Sequence, residues 1–302
     1  MGLLDFLKNL FGGGGEVTPT GWSKTPPRSK VLGVDELARR LGATREQLEG
    51  FQPVYQEFDI PKQSGGKRRI SAPSPELKAL QRKILKRLLA RVKCHEAVHG
   101  FERGRSILTN AGPHVGSALV IHVDIQDFFP STSARRIAGL YQRLGWDSEA
   151  TKVLVKLTTH RGGLPQGAPT SPRLANLVNL RIDARLSGLA RRFGGSYTRY
   201  ADDLTFSSAA EKMPILGVVG RILAEDGYKV HKRRKMHVRR AHQRQMVTGL
   251  VVNEKAQLPR ETRRWLRAVE HRLKTKGQAT LKPEQLAGWR SFQGMLAQRS
   301  ES

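Results

Sequence analysis

Two adjacent aspartates, Asp202 and Asp203, lie between two short runs of strand-like composition, residues 195–199 and 204–207. Adjacent carboxylates repel each other and lose hydration unfavourably, so a fold directs such a pair into one pocket mainly where divalent cations neutralise the charge. The competing interpretation is an ordinary turn, because Asp readily bonds to its own backbone in turns. The pattern predicts a tight hairpin with two carboxylates at its tip, and other segments must decide what they do.

A further acidic position follows an apolar, β-branched run at residues 118–123. Such a run predicts a buried strand, and Asp124 comes directly after it. A carboxylate at the end of a buried strand can face the tip of a neighbouring hairpin. We therefore expect Asp124 to join Asp202 and Asp203 at one site.

A turn-rich segment, residues 164–172, separates the two acidic elements, and residues 173–183 after it have helical periodicity. Pro172 suits the first turn of this helix, and Ser171 or Thr170 suits its N-cap. The order along the chain is thus an acidic strand, a turn leading into a helix, and an acidic hairpin.

These three elements resemble the palm of the reverse transcriptases, with Asp124, Gln166-Gly167 and residues 200–203 at the family's three palm motifs. Two short signatures narrow the likeness to the retron reverse transcriptases of bacteria. The signature residues, which the resemblance implies engage RNA, are Asn110, His114, Val247, Thr248 and Gly249. The likeness covers roughly residues 51–295, and five motifs in order make coincidence an inadequate explanation.

The resemblance implies an α/β (α+β) right-hand polymerase. Its palm would be a ferredoxin-like antiparallel sheet with helices, accompanied by fingers and a small helical thumb. The expected divisions are residues 1–30 for an N-terminal amphipathic segment and linker, 31–116 for N-terminal helices and fingers, 117–250 for the palm with about 132–162 contributing to the fingers, and 251–302 for the thumb. The apolar face within residues 3–11 is too short to be a stable helix alone, so it either packs on the body or docks into a partner.

Polymerases of this family use two divalent cations, and the resemblance implies two Mg²⁺ per active site, with Mn²⁺ as a substitute. Hard cations of this kind prefer oxygen ligands. The expected ligands are the carboxylates of Asp124, Asp202 and Asp203, of which Asp203 is the most marginal, together with the carbonyl of Ile125.

The resemblance also implies nucleotide-binding positions. We expect Phe129 to wall off a ribose 2′-hydroxyl while Phe128 packs in the core, and Gln166 and Gly167 to let backbone approach the template base and nucleotide. Arg69, and less so Lys67, would hold the triphosphate from a hairpin turn; a solvated charged turn is the alternative. Asp127 would be structural or would partner a fingers cation. Lys235 resembles the lysine that protonates the pyrophosphate leaving group in this family; Lys232 is nearby, and simple phosphate binding by either lysine is the alternative.

The charge balance points independently to a polyanion. The chain has 53 Lys and Arg against 26 Asp and Glu, a net charge of +27, and such an excess is typical of nucleic-acid binding. We see no apolar run of membrane-spanning length and no signal-peptide pattern, so a cytoplasmic protein without a membrane partner is expected. The histidines at 231, 237 and 242 lack cysteines or regular zinc-ligand spacing, and the basic stretch around them is better explained as a phosphate-facing surface.

The expected function is that of a retron reverse transcriptase, an RNA-directed DNA polymerase. By resemblance it would use a structured non-coding RNA as template and as 2′-hydroxyl primer, consume dNTPs, and make branched multicopy single-stranded DNA for anti-phage defence with a separate effector protein. Two alternatives remain: a group II intron or diversity-generating reverse transcriptase, and an inactive RNA-binding relative. Retention of the three carboxylates disfavours the inactive relative.

Overall fold

The structure, a computed structural model, describes residues 31–61, 65–231, 236–276 and 280–300. The amphipathic segment expected within residues 1–30 lies outside the described residues. The helices are α1 (Val34–Leu41), α2 (Arg45–Gly50), α3 (Pro75–Ile84), α4 (Ile107–Ala111), α5 (Phe128–Ser131), α6 (Ala134–Arg143), α7 (Ser148–Thr158), α8 (Ser171–Val178), α9 (Leu180–Arg192), α10 (Leu216–Glu225), α11 (Arg260–Lys276) and α12 (Pro283–Ser300). The strands are β1 (Tyr55–Pro61), β2 (Lys67–Pro73), β3 (Leu119–Gln126), β4 (Gly195–Tyr200), β5 (Asp203–Ser208), β6 (Lys229–Val230), β7 (His237–Arg240), β8 (Met246–Val247) and β9 (Leu250–Val251).

A five-stranded antiparallel sheet forms the centre of the fold. Its order is β4-β5-β3-β6, and β7 also pairs with β3. The predicted strand at residues 118–123 corresponds to β3, but β3 runs on to Gln126, so the expectation that Asp124 follows the strand was wrong. Pairing with β5 and then with β6 extends the ladder past the apolar run, and backbone hydrogen bonds rather than side-chain polarity set where the strand ends.

Two smaller hairpins accompany the central sheet, and the first forms where Gly65 and Gly66 predict a turn. β1 pairs with β2 across Gly65 and Gly66, both at positive φ, a backbone region that glycine enters without steric cost. β8 pairs with β9 across Thr248 and Gly249.

Local capping signals predict the small N-terminal helices well. Gly42 ends α1 in the left-handed conformation, and Thr44 begins α2 with a capping box. The periodicity at residues 173–183, by contrast, covers two helices, α8 and α9, which break at Asn179. The Asn179 side chain donates to the hydroxyl of Tyr228 at 3.0 Å and accepts from Arg136 at 2.7 Å; local periodicity could not reveal these distant partners.

Two hydrophobic cores lie on either side of the central sheet's β3 region. The larger includes Ile121, Val123 and Phe206 of the sheet together with the helices packed on it. The smaller joins Val120 to Leu108 of α4, Val247 of the last hairpin, and the C-terminal helices α11 and α12. The two signature segments therefore share the second core.

The helices in the described ranges include none with the length and apolar character that crossing a lipid bilayer requires.

Candidate active site

The central sheet brings two of the three predicted carboxylates together, those of Asp124 and Asp203, while the third, Asp202, is next to Asp203 along the chain. Asp124 of β3 and Asp203 of β5 are register partners, and Asp202 is the turn residue immediately before β5. The turn is tied to β3, since the amide of Ile125 donates to the Asp202 carbonyl at 3.0 Å. The Asp124 side chain is 14% exposed and that of Asp203 is 36% exposed, so both reach a cleft rather than lying wholly in the core.

A cavity of about 290 Å³ lies beside this carboxylate pair. It is lined by His122, Asp124, Asp203, His237, Met246, Thr248 and Gly249. The turn of the β8–β9 hairpin therefore borders the same space as the carboxylates, although more than forty residues of sequence separate the two elements.

Histidines surround the carboxylates. The Nδ1 atom of His122 lies 3.5 Å from Asp203 Oδ1, and the Nε2 atom of His231 lies 3.7 Å from Asp124 Oδ1. His237 is the register partner of His122 on β7. Within the part of the chain that the structure describes, no group of three or more His, Cys, Asp or Glu residues is arranged to hold a metal ion.

The donor set suits a hard divalent cation that a substrate helps to hold. In polymerase-type sites Mg²⁺ is bound by one or two carboxylates and the substrate's phosphates, not by an all-protein cage. Asp124 and Asp203 offer two carboxylates from paired strands, and Asp202 is next to them along the chain. The residues therefore fit a hard divalent cation that the protein's carboxylates hold only in part.

The hairpin tip is held in place by a neighbouring backbone segment. His99 N–H donates to the Arg199 carbonyl at 2.8 Å, and Arg199 N–H donates to the Ala97 carbonyl at 2.8 Å. A Cβ atom at Gly100 would lie 2.7 Å from the amide nitrogen of Ala201, so only glycine permits this approach. Ala201 itself has a φ of +58°, and the segment supports a turn whose backbone is strained for a non-glycine residue.

A buried ion pair anchors the base of the same hairpin. Arg199 of β4 and Asp183 of α9 have side chains only 1% and 0% exposed, and they form two hydrogen bonds at 2.7 and 2.8 Å. The hydroxyl of Tyr197 also donates to Asp183 at 2.9 Å. Arg199 donates further to the carbonyl of Ala201 at 3.2 Å, so the pair reaches the turn that carries Asp202.

Sequence reasoning missed this pair. The available sequence signal for the pair was one charged residue in each of two segments with buried neighbours. Asp183 is adjacent to the buried Ile182 on α9, and Arg199 is within the run predicted to be strand β4. A buried charge requires a partner, but the sequence alone does not say which residue that partner is.

The Gln166-Gly167 motif packs against β2. The carbonyl of Gln166 accepts from the amide of Ser71 at 2.8 Å, and Gly167 has a φ of +131° with Ser71 O 3.0 Å from where a Cβ would stand. Glycine is therefore required here for backbone conformation and close approach. The predicted contact of these residues with template and nucleotide stays a prediction.

The two predicted phosphate-binding cations lie on β2, at the edge of the β1–β2 hairpin. Arg69 is bonded to Asp59 at 2.9 Å and to Glu57 at 3.3 Å, and its side chain is 60% exposed. These carboxylates raise the pKa of the Arg69 guanidinium. Lys67 is exposed and pairs in register with Pro61. A triphosphate would have to compete with the two carboxylates for Arg69, whereas within the described residues Lys67 makes no ion pair.

Of the aromatic pair after β3, Phe128 packs in the core as expected, and the role of Phe129 at the sugar stays a prediction. Phe128 is 4% exposed and belongs to the core, whereas Phe129 is half-buried. Asp127 is exposed, has a φ of +47°, and accepts a hydrogen bond from Gln126 at 3.4 Å; it forms no ion pair with any cation in the described ranges. Ile125 is 2% exposed as a whole residue, and its predicted role as a carbonyl ligand stays a prediction.

The two signatures meet in space. The Asn110 amide donates to the Thr248 hydroxyl at 3.4 Å, and that hydroxyl donates to the Ile107 carbonyl at 3.3 Å. Thr248 has a φ of +45°, which is strained for a β-branched residue, so these bonds stabilise a turn that would otherwise relax. Asn110 is 1% exposed and Val247 is fully buried, and among the signature residues the turn, Thr248-Gly249, is what faces the cavity.

His114 is buried against the acidic hairpin, β4–β5, and does not reach the surface. Its ring nitrogens bond to Ser207 Oγ at 2.7 Å and Thr198 Oγ1 at 2.8 Å, and it is completely buried. Burial lowers its pKa to about 3, so it is neutral. The predicted RNA engagement by Asn110 and His114 stays a prediction, but it must now act through the elements they support, because neither side chain is exposed.

Lys235, the predicted general acid, and Lys232 lie outside the described residues. Next to them, residues 236–240 are exposed along β7.

Comparison with protein families gives a match to the model described as "Reverse transcriptase (RNA-dependent DNA polymerase)" over residues 60–251, more than half of the chain. The chain is 40% identical to the retron Mx162 reverse transcriptase of Myxococcus xanthus, over 85% of this chain and 62% of that protein. It is 44% identical to the retron Mx65 reverse transcriptase of the same organism, over 72% of this chain and 55% of that protein. The alignments thus span less than two thirds of these two relatives.

A shorter relative is covered more fully. The chain is 36% identical to the retron Ec86 reverse transcriptase of Escherichia coli, over 79% of this chain and 75% of that protein. The matched region of the family model contains Asp124, Gln166-Gly167 and the acidic hairpin.

Proposed function

Since the chain belongs to the retron reverse transcriptases within the wider reverse transcriptase family, we propose that it is an RNA-directed DNA polymerase whose chemistry takes place at Asp124, Asp202 and Asp203. The observation that carries this proposal is the register pairing of Asp124 with Asp203, with Asp202 in the adjoining turn. A structural turn would account for the two hairpin aspartates, but not for a third carboxylate on the neighbouring strand opposite them.

The proposed chemistry is transfer of a nucleotidyl group to a hydroxyl at the end of the growing strand. Asp124, Asp202 and Asp203 would hold Mg²⁺ through their carboxylates, with the Ile125 carbonyl as a further ligand. When bound, a pair of such ions lowers the pKa of the attacking hydroxyl and neutralises the charge of the triphosphate. The chain's own part is to fix the carboxylates: the ladder between β3 and β5, the Gly100 contact and the Arg199–Asp183 pair all limit movement of the hairpin.

The remaining substrate contacts are proposed on the same basis. Phe129 would face the sugar of the incoming nucleotide and exclude a 2′-hydroxyl. Arg69 and Lys67 would approach the phosphates, and Gln166-Gly167 would hold the β2 edge near the base. Asp127 would support the nucleotide-binding residues structurally or pair with a cation of the fingers. Lys235 would donate a proton to the departing pyrophosphate.

The right-hand architecture is likewise a proposal. The β1–β2 hairpin, with α6 and α7, would form the fingers; the central sheet with α8, α9 and α10 would form the palm; and α11 and α12 would form the thumb. The packing of the C-terminal helices on the β8–β9 hairpin supports a thumb placed next to the active site. Their exposed arginines would contact a duplex by its backbone.

We further propose retron-type priming. In this scheme a structured RNA supplies both the template and a 2′-hydroxyl primer, the product is branched single-stranded DNA joined to RNA, and a separate effector protein uses the product in defence against phage. Asn110 of the first signature bonds to Thr248 of the second, and Thr248 lines the cavity beside the carboxylates. This contact supports a role for the signatures at the active site that is particular to the retron enzymes. RNA, dNTPs and a DNA product are the corresponding partners.

The polymerase proposal is tested by replacing both hairpin carboxylates, Asp202→Asn with Asp203→Asn. DNA synthesis on an annealed RNA template and DNA primer should be abolished, while the melting temperature and RNA affinity stay the same or rise, because like charges are removed from one pocket. The matched control is Asp35→Asn with Glu254→Gln, which changes the net charge equally at two exposed positions and should leave synthesis intact. Undiminished synthesis by the hairpin variant would refute the proposal.

Retron-type priming is tested by the covalent state of the product. When the protein is given the structured RNA transcribed from DNA adjoining its gene, the new DNA should stay attached to RNA under denaturing conditions and shorten when ribonuclease is added. DNA that separates freely from the RNA would exclude 2′-hydroxyl priming while leaving the polymerase proposal intact.

A further inference from the structure

Phe101 combines two unfavourable features at one position. It is 54% exposed, and its φ is +61°, a left-handed conformation that is an outlier for a bulky side chain. A single exposed apolar residue is ordinary, and it would carry no inference alone. Backbone strain of this kind persists where the surroundings enforce it and tends to cluster at functional sites.

The surroundings enforce it here. Gly100, immediately before Phe101, is pressed against the backbone of Tyr200 and Ala201, and its carbonyl accepts from Asn176 at 2.9 Å. Phe101 therefore cannot swing away from the catalytic hairpin without disturbing these contacts.

The ring stands at the edge of the proposed active site. Its centroid is 6.3 Å from that of Tyr200 and 6.4 Å from that of Phe129, with tilted rings in both pairs. Tyr200 adjoins the hairpin aspartates and Phe129 follows the Asp124 strand. Phe101 thus bridges the two sides of the carboxylate site while one face stays open to solvent.

In the loop that follows Phe101, the acidic side chain is largely buried and the two arginines are exposed. Glu102 turns inward, where it bonds to Arg173 and to Asn176, and its side chain is 16% exposed. Arg103 and Arg105 are exposed, and neither forms an ion pair within the described ranges. Along the chain, the exposed ring is therefore followed by two exposed arginines, of which Arg105 also lines a second cavity with His99 and Thr198.

We propose that this surface, Phe101 with Arg103 and Arg105, binds a nucleic-acid strand at the entrance to the active site, with a base stacked on the ring and backbone phosphates at the two arginines. Single strands are bound in this way by aromatic platforms with adjacent cations. An incoming nucleotide would instead meet the carboxylates and their cation. The inference rests on the proposed function, because it locates a strand beside that polymerase site.

The test distinguishes the contribution of the aromatic ring to binding from that of the left-handed backbone conformation at position 101. Phe101→Asn removes the ring but suits the left-handed conformation, and Phe101→Tyr keeps the ring. Both variants are made in the Asp202→Asn, Asp203→Asn background, and binding of labelled single-stranded RNA and of an annealed RNA–DNA duplex is measured by fluorescence anisotropy. No catalysis is needed, so failure of the polymerase proposal would leave this result interpretable.

Phe101→Asn should weaken binding of a strand by about 5- to 150-fold, the range of one lost stacking contact, without lowering the melting temperature. Phe101→Tyr should bind as the parent does. The probe whose binding is weakened, single-stranded RNA or RNA–DNA duplex, identifies which form of nucleic acid occupies the site. Replacing Arg103 and Arg105 with Gln should reduce the salt dependence, the log–log slope, by roughly 1.4 to 1.8 for two phosphates, whereas Phe101→Asn should leave that slope unchanged.

Unchanged affinity of Phe101→Asn for both probes would overturn the proposal. Equal loss in Phe101→Tyr and Phe101→Asn would also overturn it, since the position would then matter for backbone structure and not for stacking.

Discussion

The buried pair of Arg199 and Asp183 should be the most sensitive support of the acidic hairpin, β4–β5. Asp183→Asn keeps the shape of the side chain but leaves the guanidinium of Arg199, 1% exposed, charged and without a counter-ion. Removing one partner of a buried ion pair costs about 3–5 kcal/mol. Because Asn can still accept one hydrogen bond, we expect a loss near the lower end, about 3 kcal/mol.

That loss of stability should lower both the melting temperature and the rate of DNA synthesis. In a chain of this size each kcal/mol shifts the melting temperature by about 2 °C, so a drop of roughly 6 °C is expected by differential scanning calorimetry. DNA synthesis at 25 °C should fall at least about tenfold even though the protein stays folded, because Arg199 also bonds to the Ala201 carbonyl and small displacements of catalytic groups are costly.

A matched control breaks an ion pair that joins the same helix, α9, to α10. Glu225→Gln breaks the exposed Arg185–Glu225 pair, and exposed pairs contribute about 0–1 kcal/mol. A double variant, Asp183→Leu with Arg199→Met, removes both buried charges and should recover most of the stability, but not the synthesis rate. The reasoning is refuted if Asp183→Asn melts within about 2 °C of the wild-type protein.

Three further outcomes follow from single positions. Because burial lowers the pKa of His114 to about 3, the unfolded chain takes up a proton near pH 6.5 that the folded chain refuses; the free energy of unfolding in urea should therefore fall by about 2 kcal/mol between pH 7 and pH 5 from this group, a loss that should be absent in His114→Gln. Gly100→Ala should slow synthesis by displacing the hairpin, whereas Gly112→Ala, whose added Cβ meets nothing within 4 Å, should not; equal rates would contradict the contact argument. Phe129→Val should raise ribonucleotide incorporation relative to deoxynucleotide incorporation in competition assays, and an unchanged ratio would place the sugar gate elsewhere.

Local patterns predicted the elements that local forces build. The two strands of the acidic hairpin, the caps of α1 and α2 and the glycine turn between β1 and β2 could all be read from nearby residues, because alternation, capping and turn geometry act over a few positions. The same patterns failed at Asn179, where contacts with Arg136 and Tyr228 end one helix and begin another.

The sequence by itself determined which residues are available for chemistry: three carboxylates on two strand-forming segments, an aromatic pair after the first, and a strongly cationic chain. Only the tertiary structure decided how they meet. It placed Asp124 inside β3 opposite Asp203, buried His114 and Asn110, and joined Asn110 to Thr248, 138 residues along the chain. Those contacts depend on the packing of distant segments, where burial and hydrogen bonding choose the partner, and a pattern that extends over a few residues contains no information about that choice.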